Sequence, residues 1–131
     1  MKKLTTILIL CLLSLKGFST HQVEDYLIYN DDTLFFYESP LEQIDNIAGK
    51  IGRIRKSESL SSGCWRGFYA EWKLIDSVLY LSKVFACDND DIINKTIEKV
   101  LKRKFDNGLL SADWVNGYLW CLIEIVCEHT L

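Results

Sequence analysis

Of the 131 residues, 49% are hydrophobic and 25% charged, and the net charge is −3. That hydrophobic share supports a folded core, whereas the acidic balance argues against nucleic acid, whose phosphates need Lys and Arg to neutralise them. No cofactor motif and no four-ligand metal set stands out in the sequence, so neither a cofactor nor a metal is expected.

The first nineteen residues read as a secretory signal peptide. Met1-Lys2-Lys3 is a basic start, Leu4 to Leu15 runs without a charge, and Gly17, Ser19 and Thr20 are small. A basic start, an apolar run of about 7–15 residues and a small-residue exit describe a cleavable signal. The run is too short for a bilayer span, which takes roughly 20 apolar residues. Cleavage after Ser19 would leave residues 20–131 as one small domain. Lys2, Lys3 and Lys16 would depart with the signal, leaving twelve Lys and Arg against eighteen Asp and Glu. The expected product is periplasmic or extracellular, without a membrane span. Its acidic balance also disfavours anionic membrane surfaces.

Tyr26 to Tyr29 and Thr33 to Tyr37 are β-prone runs about the turn residues Asn30-Asp31-Asp32, which predicts a hairpin. Ser39-Pro40-Leu41-Glu42 has the form of a capping box with proline at the first helical position. Leu41, Ile44, Ile47 and Ala48 keep helical spacing until Gly49 and Gly52 end it. Lys50 to Gly63 then reads as an exposed, basic and serine-rich loop.

Cys64 to Ile75 is the strongest strand, with Phe68, Ala70, Trp72 and Leu74 on one face and Trp65, Tyr69, Glu71 and Lys73 on the other. Asp76-Ser77 turns it back into Val78 to Phe85. Asp91 to Phe105 is the best helix, striped by Ile93, Ile97, Val100 and Leu101 and stopped by Asn107-Gly108. Asn116-Gly117 between Trp114-Val115 and Tyr118-Leu119 predicts a last hairpin, its second arm running on through Trp120. These elements predict an α+β domain: an antiparallel sheet of five or six short strands with one amphipathic helix packed on it. Trp72, Phe68, Leu74, Leu79, Leu81, Ile97, Val100 and Leu101 would form its core.

Cys11 would leave with the signal, and Cys64, Cys87, Cys121 and Cys127 remain, an even count suited to disulfides after export. Cys121 and Cys127 would lie about 20 Å apart on one strand, too far to bridge. Either Cys64–Cys87 forms alone or the late cysteines pair across to the early ones. Pairing Leu74 with Val78 or Leu79 brings Cys87 within reach of Cys64 and favours the first.

His21 and His129 lie at the ends of the expected product, where no packed structure holds a catalytic base. Asp88-Asn89-Asp90-Asp91 is like the opening of a calcium loop without its glycine and distant glutamate, and it equally suits a helix N-terminus. Asn94-Lys95-Thr96 fits the glycosylation pattern, but inside a predicted helix.

Cys64-Trp65-Arg66-Gly67 and Ala112-Asp113-Trp114 are the most distinctive strings. One reading makes Arg66 and Asp113 a charged pair beside tryptophan platforms, holding a sugar or a peptide with Tyr69. The other has Trp65 and Trp114 closing the ends of the core, with the two charges satisfying buried polar groups. Candidate binding residues are therefore Trp65, Arg66, Tyr69, Asp113 and Trp114. Glu71 and Asp113 are the carboxylates a hydrolase would recruit.

Tyr29 to Glu42, Trp65 to Leu81 and Ser111 to Gly117 resemble an uncharacterised family of small bacterial proteins. Its members share a short hairpin running into Asn-Pro-Leu-Glu, a strand Trp-Arg-Gly-Tyr-x-Ala-x-Trp, and Phe-Ala-Asp-Trp-x-x-Gly. Phe68 stands here in the tyrosine position, and Ser111 stands for the phenylalanine. Family members continue past the last hairpin, whereas this chain ends at Leu131. The resemblance implies no activity, cofactor or catalytic residue.

These features point to an exported, non-catalytic binding or interaction module. An acid/base hydrolase acting on a carbohydrate is one alternative, and an inhibitor or immunity-like protein another. Intact mass of the exported product tests the processing directly. A chain beginning at Thr20, heavier by two hydrogens per disulfide after reduction, is the expected outcome; a reduced chain retaining Met1 contradicts it.

Overall fold

The computed structural model describes residues 3–7, 9, 22–36, 38–56 and 62–117, together with the strand backbone of 121–122. No helix among them is long and apolar enough to cross a membrane. The expected cleavage site, Cys11, Cys127, His21, His129, Tyr37 and Tyr118 to Trp120 lie outside the described residues.

Two-residue turns set the frame. β1 (Tyr26–Tyr29) and β2 (Asp32–Phe36) meet at Asn30 and Asp31, with φ of 50° and 66°. β3 (Phe68–Ile75) and β4 (Val78–Ala86) meet at Asp76 and Ser77, with φ of 50° and 63°. Left-handed backbone at both central positions gives a turn whose twist matches that of the strands it joins. The longer hairpin pairs Leu74 with Leu79 and Phe68 with Ala86, which carries Cys87 to Cys64. The disulfide between them is present, with Cα atoms 6.4 Å apart.

The fold is α+β, but its sheet is mixed. Strand order is β5-β4-β3-β1-β2-β6, where β5 is Leu110–Ser111 and β6 is Cys121–Leu122. β1 runs parallel to β3, pairing Tyr26 with Glu71 and Leu27 with Trp72, while the other pairs are antiparallel. Trp114 and Val115, the first arm of the expected last hairpin, are not in a strand, and Tyr118 to Trp120 of its second arm lie outside the described residues. β5 pairs with β4 at one edge of the sheet and β6 with β2 at the other. Between them, Trp114 Nε1 donates to the Pro40 carbonyl (3.1 Å) and the Asn116 amide to Gln43 Oε1 (2.8 Å). These distant partners hold Trp114 and Asn116.

Besides the helical residues 3–7, the described residues hold two α-helices where one was expected on the sheet. α1 (Ile47–Arg55) occupies part of the predicted basic loop and contains Gly49 and Gly52. Each internal glycine costs about 1 kcal/mol relative to alanine. Burial of Ile47 and Ile51, at about 1.5–3 kcal/mol each, outweighs that. The Ser39 capping box instead opens a separate 3₁₀ turn, Pro40–Gln43, and Ser39 makes no cap bond because its hydroxyl is engaged elsewhere. α2 (Asn94–Leu101) is shorter than predicted. It ends at Lys102 in left-handed backbone (φ 54°), and the Phe105 amide donates to Glu98 Oε1.

One face of the sheet carries the core: Leu27, Phe36, Phe68, Ala70, Trp72, Leu81, Val84 and Ala86, joined by Ile47, Ile51, Ile93 and Ile97 from the helical side. Leu74, Leu79, Val100 and Leu101 are half-buried against it. A bulge interrupts the β3–β4 ladder, since Glu71 opposes Lys83 and the next residue, Trp72, opposes Leu81. The extra residue, Ser82, donates its hydroxyl to Glu71.

Asn94 completes the exposed edge of β4. Its amide nitrogen donates to the Ser82 carbonyl and its oxygen accepts the Val84 amide, both at 2.9 Å. The side chain therefore stands in for a neighbouring strand, and the asparagine of the glycosylation pattern has a structural role. Asn94→Ala leaves two partly buried backbone groups unpartnered, and a loss of about 1–3 kcal/mol in urea unfolding is expected. A variant as stable as the parent contradicts this role.

Candidate binding cleft

The Cys64-Trp65-Arg66-Gly67 string forms a turn in which the Gly67 amide donates to the Cys64 carbonyl at 3.0 Å. Gly67 has a φ of 80°, which favours glycine there. The turn is fixed from three sides. Cys64 is bonded to Cys87, the Cys87 amide donates to the Gly67 carbonyl, and the Trp65 amide donates to Gln22 Oε1. Trp65 and Arg66 occupy its two central positions and have opposite fates: Trp65 is 55% exposed and Arg66 8%.

Arg66 reaches inward to Asp25, which is 1% exposed. Its Nη2 lies 3.1 Å from Asp25 Oδ1 and 2.7 Å from the Val23 carbonyl, and its Nε donates to the Phe68 carbonyl at 2.9 Å. The Ala70 amide also donates to Oδ1 (3.0 Å), while Ser39 Oγ (2.7 Å) and Trp72 Nε1 (2.9 Å) donate to Oδ2. Arg66 Nη1 also lies 3.5 Å from Glu42 Oε2. With the six hydrogen bonds above, no buried side-chain polar atom is left unpartnered among the described residues. Burial pushes the Asp25 carboxyl above its ordinary value, against the opposing pull of Arg66 and the hydrogen bonds of Trp72, Ser39 and Ala70. With its oxygens saturated by the protein and shut from solvent, Asp25 has no geometry for attacking or protonating a substrate.

Trp65 faces α1 across a cleft of about 380 Å³ lined by Ala48, Gly49, Ile51, Gly52, Arg55 and Trp65, with Asn46, Arg66 and Gly67 at its ends. The walls are mainly apolar. Both cations are already paired, Arg55 with Asp88 at 3.2 Å and Arg66 with Asp25. A Cβ built on Gly52 meets nothing within 4 Å, so this helix position opens directly into free space. The cleft therefore offers an indole face, a glycine-lined helix flank and little net charge. That suits an uncharged, partly apolar group, and no carboxylate lines the cleft among the described residues.

The other candidate residues lie apart from it. Asp113 does not pair with Arg66; it binds Arg103 at 2.8 Å, with its side chain 68% exposed. It therefore satisfies no buried group either. Trp114 closes the core against Trp72, ring centroids 6.4 Å apart, as one of the two sequence readings held. Trp65 does not. Tyr69 stacks on Phe85 (5.0 Å) on the opposite sheet face and donates to Asp90. Glu71 and Asp113 are separately engaged, Glu71 by Tyr26, Ser82 and Lys83. Burial, with the neighbouring Glu71, pushes the Tyr26 phenol up to about 12. The Asp88–Asp91 carboxylates are bound by Arg55, Tyr69 and Asn89, and no group of three metal-ligating side chains occurs among the described residues.

Sequence reasoning missed Asp25 and Gly52. Asp25 is an acid beside a β-prone run, and no local pattern separates it from Glu24. Compared with known proteins, the chain matches no family model, and neither curated proteins nor solved structures show a significant similarity to it.

Asp25→Ala strands Arg66, Trp72 Nε1 and the Ala70 amide, and a loss of about 3–5 kcal/mol in urea unfolding is expected. The raised carboxyl adds a sign. The folded state holds this proton more tightly than the unfolded chain, so its contribution is complete below the unfolded pKa and declines as pH rises through the folded one. Urea midpoints measured across that range should fall more steeply with pH in the parent than in Asp25→Ala. Parallel curves contradict the assignment.

Proposed function

We propose that the chain is an exported, non-catalytic binding module whose ligand-contacting element is the Trp65 cleft. One observation carries the reading. A large aromatic side chain is held in solvent on a turn pinned by a disulfide and a buried ion pair, facing a helix flank left open by glycine. Leaving an indole exposed forfeits the burial that usually makes tryptophan favourable, and an unfilled helical glycine forfeits about 1 kcal/mol. Both concessions fall on the same cleft. The Cys64–Cys87 disulfide supports an oxidising compartment. Glu71 and Asp113, the carboxylates a hydrolase would recruit, are engaged apart from the cleft by Tyr26, Ser82 and Lys83 and by Arg103, which weighs against the hydrolase alternative.

Gly52→Ala should stabilise the protein by up to about 1 kcal/mol, because the new methyl meets open space. Gly52→Leu should keep the fold and fill the cleft. The test follows tryptophan indole signals by NMR while monosaccharides, free amino acids and short peptides are added, with Trp65→Phe identifying the Trp65 resonance. The reading expects one class to shift that resonance in the parent and not in Gly52→Leu. If no class shifts it, or the shift survives Gly52→Leu, the cleft is not the binding element.

A further inference from the structure

The chain is acidic overall, but its charges are segregated. Residues 47–56 and 94–104, the two helices with their C-terminal extensions, hold nine of the fifteen Lys and Arg and one of the eighteen Asp and Glu. α1 and α2 pack against each other on the core side of the sheet, so the nine cations share one layer. Three of them are paired with acids: Arg55 with Asp88, Lys95 with Glu98 and Arg103 with Asp113. Lys50, Arg53, Lys56, Lys99, Lys102 and Lys104 have no ion pair among the described residues, and all but the half-buried Lys50 are exposed.

An apolar groove runs through this layer. It holds about 290 Å³ and is lined by Lys50, Arg53, Ile54 and Val100, with Ile54 41% exposed. Cationic heads therefore stand at the rim of a hydrocarbon floor. We propose that the two-helix layer docks on a membrane surface rich in anionic phospholipid. Phosphate headgroups would meet the lysines, and acyl carbon would cover Ile54 and Val100. The match is to an amphiphile, anionic at one end and apolar at the other. Nucleic acid offers the phosphates without the hydrocarbon, and the layer is predominantly lysine, a point-charge partner without the planar fork that reads bases. Seventeen acids elsewhere in the chain would orient the domain, helices toward the membrane and the acidic remainder away.

Vesicle cosedimentation tests this with the exported product, its N-terminus fixed by intact mass and identical in every variant. Binding to vesicles containing phosphatidylglycerol should exceed binding to phosphatidylcholine alone by at least about tenfold, since each basic residue at such a surface contributes a several-fold gain. High salt should abolish the difference. Lys50→Glu with Arg53→Glu, and separately Lys95→Glu with Lys99→Glu, should each weaken binding by about tenfold or more. Lys73→Glu with Lys83→Glu changes the net charge equally on the opposite sheet face and should leave binding near the parent level. Circular dichroism melts establish that each variant folds. Equal binding to both vesicle types, or equal losses in helical and opposite-face variants, overturns the proposal. Displacement from vesicles by duplex DNA or polyglutamate at matched charge also overturns it, in favour of a soluble polyanion.

Discussion

A single carboxylate organises this molecule. Asp25 precedes β1 by one residue and receives the Ala70 amide, the Trp72 indole, the Ser39 hydroxyl and the Arg66 guanidinium. Antiparallel neighbours joined by a tight turn inherit their register from that turn, but parallel neighbours have none. Here the bond from Ala70 to Asp25 sets Tyr26 beside Glu71, and the parallel pairing of β1 with β3 follows from it. The indole bond fixes Trp72, the largest fully buried side chain. In a low-dielectric interior such a network is strong when complete and costly when broken.

The same network determines what the surface presents. Arg66 is committed by four partners, Asp25, Val23, Phe68 and Glu42, and its neighbour on the two-residue turn points the other way. Trp65 is consequently driven outward, while the disulfide and Gln22 hold the turn that carries it. α1 completes the cleft only because Ile47 and Ile51 bind it to the core despite two internal glycines. The exposed aromatic surface is thus a consequence of buried polar chemistry.

Much of the framework was legible from local pattern. The β1–β2 and β3–β4 hairpins are marked by alternation and by Asn, Asp and Ser at left-handed turn positions. The β3–β4 register brings Cys87 to Cys64, and the spacing of Ile93 and Ile97 marks α2. Arg66 and Trp65 were legible as an unusual pair, though not with Asp25 as the partner. α1 was hidden because its glycines and cations imitate a loop. Ser39 stands at an N-cap with Pro40 after it, as its pattern indicates, but the pattern does not show that its hydroxyl goes to Asp25 or that the turn is 3₁₀. Before the Asn116-Gly117 turn signal, Trp114 and Asn116 bond to Pro40 and Gln43 instead of entering a strand.

The sequence by itself determined the α+β class, the two hairpins and the net acidity, and through the hairpin register it favoured the disulfide, because each depends on composition or on residues a few positions apart along a strand or turn. Tertiary structure decided the parallel strand, the crossing between sheet edges, the outward Trp65 and the gathering of cations into one helical layer. Those depend on contacts such as Asp25 with Arg66, Ala70 and Trp72, 41 to 47 residues away in the chain. Interactions of that range leave no periodic trace, since any buried acid serves them and only the assembled core selects which one.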